Sequence, residues 1–143
     1  MNAVSPSVLS SVFQRSGGQG EKTKLFGGLR KGVRTEILKA VGLRLGEEPV
    51  VSHFEDWENW CLVTTHRVIW CDSGDRHELD NDVIVEATID RQLALRRNPR
   101  DKGELRDIKL VDKSGEAHVI KLEAGEPFSG MWNMMKYLAR RNS

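Results

Sequence analysis

Residues 60–70 of this 143-residue chain read WCLVTTHRVIW. Two apolar runs, rich in Val, Ile, Leu and Trp, flank a polar segment from Thr64 to Arg67. β-Branched and aromatic residues favour strands over helices, and a short polar break between two such runs is typical of a β-hairpin. The stretch therefore predicts two antiparallel strands, Trp60 to Thr64 and Arg67 to Cys71.

Further strands are predicted on both sides of this hairpin. Strand-like composition or alternation occupies residues 50–54, 77–79, 83–89, 105–111 and 118–122. Apolar residues recur at spacings of three and four over about 31–43, which predicts a helix. A last helix is predicted to begin near Pro127, and its apolar stripe comprises Phe128, Met131, Trp132, Met135 and Leu138. Such a stripe is typical of a helix packed on a core, so the chain is predicted to have an α+β fold.

The first 28 residues differ in composition from the rest. Ser5 can cap a helix within residues 1–15 and Pro6 suits its first position, whereas residues 16–20, SGGQG, are typical of a flexible linker. We expect residues 1–28 to form a helical appendage with a Gly-rich linker, and residues 29–143 to form the main domain with its leading helix. So short a helix does not persist alone in water. Three alternatives stay open for it: packed on the domain, docked on a partner or another copy, or mobile.

Composition favours a single cytoplasmic domain. Apolar residues make up 38% of the chain and charged residues 30%, and no run approaches the ~20 apolar residues of a membrane span. The N-terminus lacks the pattern of a secretory signal peptide. Cys61 and Cys71 are too few for a disulfide framework. They allow one cross-strand disulfide, but two reduced thiols are the favoured interpretation in the cytosol.

No catalytic motif is apparent. The four histidines (His53, His66, His77 and His118) are scattered, without the spacing of zinc ligands. The chain has neither a phosphate-binding loop nor a nucleophile elbow. We therefore expect no enzymatic activity, no metal and no cofactor.

The order of these features resembles the bacterial pleckstrin-homology-like (PH-like, or GRAM-like) domain family. The resemblance rests on a helix before residues 46–50 (GEEPV), the segment 62–69 (LVTTHRVI), a late hairpin at Ser114-Gly115 and the terminal helix with Trp132. It implies a strongly bent antiparallel sheet that forms a half-open barrel, capped by the C-terminal helix. One or two N-terminal helices would be additions to that fold. It also implies a binding function, because such domains rarely catalyse reactions.

The loop between the first two strands departs from the lipid-binding members of that family. Those members hold phosphoinositides with basic residues there, whereas this chain has Glu55, Asp56 and Glu58. Three carboxylates repel a phosphate headgroup. The neighbouring Phe54 and Trp57 add aromatic anchors of the kind enriched at protein interfaces, and acidic neighbours attract a basic partner. These five residues are our predicted partner-binding site.

Charge is segregated along the chain. Residues 46–90 contain 12 acidic and two basic residues, although the whole chain has a net charge of +1. Such asymmetry affects association, unless the two signs neutralise each other within the fold, an alternative that stays open. A competing patch for anionic ligands comprises Arg96, Arg97, Arg100 and Lys102. The aromatic residues do not coincide with it, so specific nucleic-acid binding is not expected.

The leading hypothesis is a non-enzymatic interaction module with a protein partner, basic in charge, and with homo-oligomerisation left open. One alternative is a small inhibitor or immunity-type protein against a basic partner. Another is a peripheral binder of anionic membranes, with weak association at most.

Overall fold

The computed structural model describes residues 4–89 and 105–142. Its helices are α1 (Pro6–Arg15), α2 (Lys31–Val41) and α3 (Glu126–Arg141), with two single 3₁₀ turns at Phe26–Gly28 and Asn81–Val83. Its strands are β1 (Thr23–Leu25), β2 (Pro49–Asp56), β3 (Asn59–Thr64), β4 (Arg67–Asp72), β5 (Asp75–Asp80), β6 (Ile84–Ile89), β7 (Asp107–Asp112) and β8 (Ala117–Lys121). The predicted α+β class is confirmed.

The predicted central hairpin is confirmed as β3 and β4. Leu62 pairs with Ile69 and Val63 with Val68 in an antiparallel register. Thr64 closes the turn, because its Oγ1 accepts hydrogen bonds from the amides of His66 and Arg67, both at 3.0 Å. A polar break thus reverses the chain because one threonine side chain satisfies the amides that the strands leave unpaired.

Both faces of this hairpin are buried, which explains why neither strand alternates apolar with polar residues. Cys61, Val63, Val68 and Trp70 belong to the main core, whereas Trp60, Leu62 and Ile69 form a second cluster with Ile37 and Val41 of α2. Alternate side chains of a strand point to opposite faces. Helix α2 therefore covers the face of the sheet that lies away from the main core.

The strands form two antiparallel sheets. One has the order β1-β2-β3-β4-β5 and the other β6-β7-β8. Among the described residues no strand pairing joins the two sheets, so the predicted half-open barrel is not seen as a closed or continuous sheet. Consecutive strands β5 and β6 separate because the 3₁₀ turn at Asn81–Val83 intervenes. The main core lies between the sheets and receives α3, whose Asn142 Nδ2 donates to the carbonyls of Asn81 and Ile84 at 2.6 and 2.8 Å.

Helix α1 packs on the domain, which selects one of the three alternatives that its sequence left open. Leu9 and Phe13 have no exposed surface and belong to the main core. The glycine-rich segment after α1 approaches α3 closely. A Cβ built on Gly17, which has a φ of +144°, would lie 2.1 Å from the Glu126 carbonyl oxygen. The segment is therefore held by packing, although its composition is that of a linker.

One alternative is wrong and one expectation needs correction. Cys61 lies opposite Trp70, and Cys71 lies opposite Trp60, so the two thiols are on opposite faces and the less favoured alternative of a cross-strand disulfide is wrong. Trp132 of α3 is half-buried, with its Nε1 donating to the Ala87 carbonyl at 3.0 Å. Met134, outside the predicted stripe, is fully buried. Over the described residues, no helix has the length and apolar character needed to cross a membrane.

Candidate functional site

The predicted partner-binding residues lie at one end of the five-stranded sheet, on the hairpin that joins β2 to β3. Asp56 pairs with Asn59, which leaves Trp57 and Glu58 as a two-residue turn. Asp56 Oδ1 accepts from the Glu58 amide at 2.9 Å and from Asn59 Nδ2 at 3.1 Å. These hydrogen bonds hold the pKa of Asp56 below its usual range, and the bond from the Glu58 amide has the largest effect. The turn is thus ordered and anionic.

An aromatic pair stands on this turn. The rings of Phe54 and Trp57 meet edge to face, with 4.8 Å between their centroids and 72° between their planes. Phe54 is half-buried against the cluster under α2, whereas Trp57 is 50% exposed. The half-buried phenylalanine therefore supports an indole that the fold leaves exposed.

The turn between β4 and β5 adds a second set of carboxylates. Ser73 and Gly74 have positive φ angles of 50° and 87°, as a two-residue hairpin turn requires. The Ser73 amide donates to Asn59 Oδ1 at 3.2 Å and the Gly74 amide to the Glu58 carbonyl at 3.0 Å. These bonds place Asp72 and Asp75 beside the first turn, a proximity that local sequence patterns do not contain.

We call this surface the acidic hairpin end; its members are Phe54, Glu55, Asp56, Trp57, Glu58, Asp72 and Asp75. Glu55 pairs with Lys22 at 3.1 Å. The other four carboxylates form no ion pair among residues 4–89 and 105–142. The surface therefore carries net negative charge around an exposed tryptophan.

Other acids of the segment 46–90 form ion pairs with arginines of the same domain. Glu47, with a fully buried side chain, accepts from Arg67 Nε at 2.9 Å. Arg67 also binds Glu78 at 2.8 Å, and Arg44 binds Asp80 at 2.9 Å. The expectation of mutual neutralisation thus holds for these acids of the region.

A polar cavity of about 270 Å³ lies behind Lys22 and Glu55, lined by Glu21, Lys22, His53, Glu55, Arg106, Lys121, Leu122, Glu123 and Ala124. His53 Nδ1 lies 3.2 Å from Thr23 Oγ1. Burial lowers the pKa of His53, so its imidazole is neutral at pH 7. Glu123 accepts from the amides of residues 21 and 22 at 3.0 and 2.9 Å. The described lining contains no Ser, Thr or Cys nucleophile.

Three side chains able to hold a metal lie together on the β7–β8 hairpin, although their spacing in the sequence is not that of zinc ligands. Ligand atoms of Asp112, Glu116 and His118 lie within 4.8 Å of one another. Asp112 is already engaged: Oδ1 accepts from the Ser114 amide at 2.8 Å and Oδ2 lies 2.9 Å from His118 Nε2. Hydrogen bonds from Ser114 and His118 lower the pKa of Asp112 to about 2. Together with the Asp112 amide, which donates to the Glu116 carbonyl at 3.0 Å, these bonds close the hairpin turn.

The competing basic patch at Arg96, Arg97, Arg100 and Lys102 lies outside the described residues. The chain matches no protein-family model, no curated protein and no solved structure.

Proposed function

We propose that the protein is a non-enzymatic interaction module that binds another protein through the acidic hairpin end. The observation that carries this proposal is Trp57, which is 50% exposed on an ordered turn and supported by Phe54. Tryptophan is enriched among the few residues that dominate interface energies. A supported indole loses little conformational freedom on binding, so more of its contact energy appears as affinity.

The charge of the surface indicates a basic partner. Asp56, Glu58, Asp72 and Asp75 lie on the two bonded turns that carry the indole and form no ion pair among residues 4–89 and 105–142, so they attract positive charge and disfavour acidic competitors. An inhibitor or immunity-type protein is a narrower version of the same proposal. We retain the PH-like relationship as part of the proposal, supported by the order of α2, the central hairpin and α3. The cytoplasmic location is also retained as part of the proposal.

A photo-crosslinking amino acid at position 57 tests this function in cells of the source organism. We expect a discrete adduct with a protein partner at position 57. The matched control is the same amino acid at Leu45, which is 102% exposed at the other end of the sheet. The same adduct from both positions, or none from position 57, would contradict the proposed site.

The purified partner is then titrated against variants. Trp57→Ala should raise Kd by roughly 30-fold or more, since interface anchors contribute at least about 2 kcal/mol. Glu58→Lys with Asp75→Lys should slow association and flatten its salt dependence. Glu48→Lys with Glu86→Lys makes the same charge change on exposed residues elsewhere and should leave binding within about threefold of wild type.

A further inference from the structure

A cavity with the opposite charge adjoins the acidic hairpin end. It has a volume of about 220 Å³ and is lined by Glu21, Lys22, Lys24, Gly28, Leu29, Arg30, Val33 and Phe54. Leu29, Val33 and Phe54 provide apolar walls. Lys22, Lys24 and Arg30 provide a mainly basic rim, with Glu21 as the one acid in the described lining. Its volume is below that of typical sites for drug-sized ligands. A cavity of this size and lining suits one large apolar side chain flanked by carboxylates.

The chain itself carries such a side chain. Trp57 is flanked by Asp56 and Glu58, and its ring contacts Phe54, which lines the cavity. Trp57 is not among the lining residues, so the indole does not fill the cavity of its own molecule. Anchor and cavity therefore lie side by side on one surface, on either side of Phe54.

We propose that this surface binds a second copy of the chain in a two-fold dimer, in which the Trp57 of each copy enters the cavity of the other. This inference rests on the proposed function and names the partner. A two-fold interface uses the same patch on both subunits, so anchor and cavity must be neighbours. Phe54, shared by both, lies near the axis.

Charge complementarity supports this partner. Glu58 and Arg30 each lack an ion-pair partner among the described residues. Across the two-fold axis the acidic turn of one copy meets the basic rim of the other. Helix α2 also begins beside the cavity, without an acidic residue in its first turn and without a side-chain cap. A carboxylate from the second copy complements the amides of this first turn, which no side chain caps, and the positive end of the helix dipole.

The dimer is expected to be weak. One tryptophan buries about 150–250 Å², so two anchors supply a minor part of the ~1,600 Å² of a standard interface. Self-association should therefore depend on concentration and be sensitive to single charges.

Sedimentation velocity of the full chain over a concentration series tests the proposal. Wild type should show a monomer–dimer equilibrium without larger species. Three single variants should each raise the dissociation constant of the dimer by roughly tenfold or more: Trp57→Ala, Glu58→Lys and Arg30→Glu. Glu86→Lys and Lys113→Glu make the same charge changes on other exposed residues and should leave it unchanged.

A charge swap makes the test specific. An equimolar mixture of Glu58→Lys chains and Arg30→Glu chains should dimerise again. In the mixed dimer the lysine introduced at position 58 faces the glutamate introduced at position 30, and the native Glu58 of one chain faces the native Arg30 of the other. The double variant in one chain should also recover. Both altered residues are exposed, and unchanged melting temperatures would show that folding is intact.

Three results would each overturn the proposed two-fold dimer. The wild type could be monomeric at every concentration, it could form larger head-to-tail oligomers, or its dimer dissociation constant could be unchanged by Trp57→Ala. In any of these cases the proposed function stands if a crosslinked partner still requires Trp57 for binding. The proposed function itself fails if that partner binds equally well without Trp57.

Discussion

At the level of single residues, one buried ion pair joins two of the sequence segments on which the PH-like resemblance rests. Glu47 of GEEPV accepts from Arg67 Nε at 2.9 Å and from Thr64 Oγ1 at 2.6 Å, and both donors belong to LVTTHRVI. Glu47 is 17 residues from Thr64 and 20 residues from Arg67 in the sequence, so neither pattern alone predicts the contact. The ion pair gives a physical reason for the presence of both segments in one sequence, because one segment supplies the carboxylate and the other supplies the guanidinium that pairs with it.

This contact predicts acid sensitivity. Burial opposes ionisation of Glu47, but hydrogen bonds from Arg67, Thr64 and the Arg44 amide outweigh it and lower its pKa from 4.5 to about 2. Because the folded pKa is depressed, its stabilisation is present above about pH 4.5 and is lost as the pH falls towards 2. In urea titrations, Glu47→Gln should lower the free energy of unfolding at pH 7 by about 3 kcal/mol. The free energy of unfolding of this variant should also fall less steeply than that of the wild type as the pH is lowered. Exposed Glu36→Gln is the control; equal curves for both variants would contradict this role.

At the scale of elements, the sequence predicts most strands and helices but not their neighbours. The apolar run of β3 and β4 predicts a hairpin, yet it does not show that α2 covers its outer face. β1 was missed because three residues carry no detectable alternation. The packing of α1 on α3 was also beyond the sequence, because Gly17 and Gly130 are small for reasons that appear only in three dimensions.

A pair of glycine substitutions tests that packing. A Cβ on Gly130 of α3 would lie 2.8 Å from the Phe13 carbonyl oxygen and 2.9 Å from its ring, whereas a Cβ on Gly32 of α2 meets nothing within 4 Å. Gly130→Ala should therefore destabilise the fold by about 1–3 kcal/mol through overpacking. Gly32→Ala should stabilise it by roughly 0.5–1 kcal/mol. Thermal melting measures both, and stabilisation by Gly130→Ala would show that α1 does not pack on α3.

Over the molecule as a whole, some acids of residues 46–90 pair with arginines and others gather at the acidic hairpin end. Glu47, Glu78 and Asp80 pair with arginines, while hydrogen bonds between the two turns bring the carboxylates of the acidic hairpin end together. The sequence predicted the residues 54–58 because they are contiguous. It could not predict Asp72 and Asp75 as neighbours, or the adjoining cavity, because sheet register and the position of α2 create them.

The proposed function requires the acidic hairpin end to be the surface that binds another protein. Hydrogen–deuterium exchange of the free and bound chain tests this requirement, with either a second copy or the crosslinked partner as ligand. We predict slower exchange on binding in residues 55–59 and 72–75, with little change in residues 43–46 at the opposite end of the sheet. Protection confined to residues 43–46, with unchanged exchange in both turns, would contradict the claim.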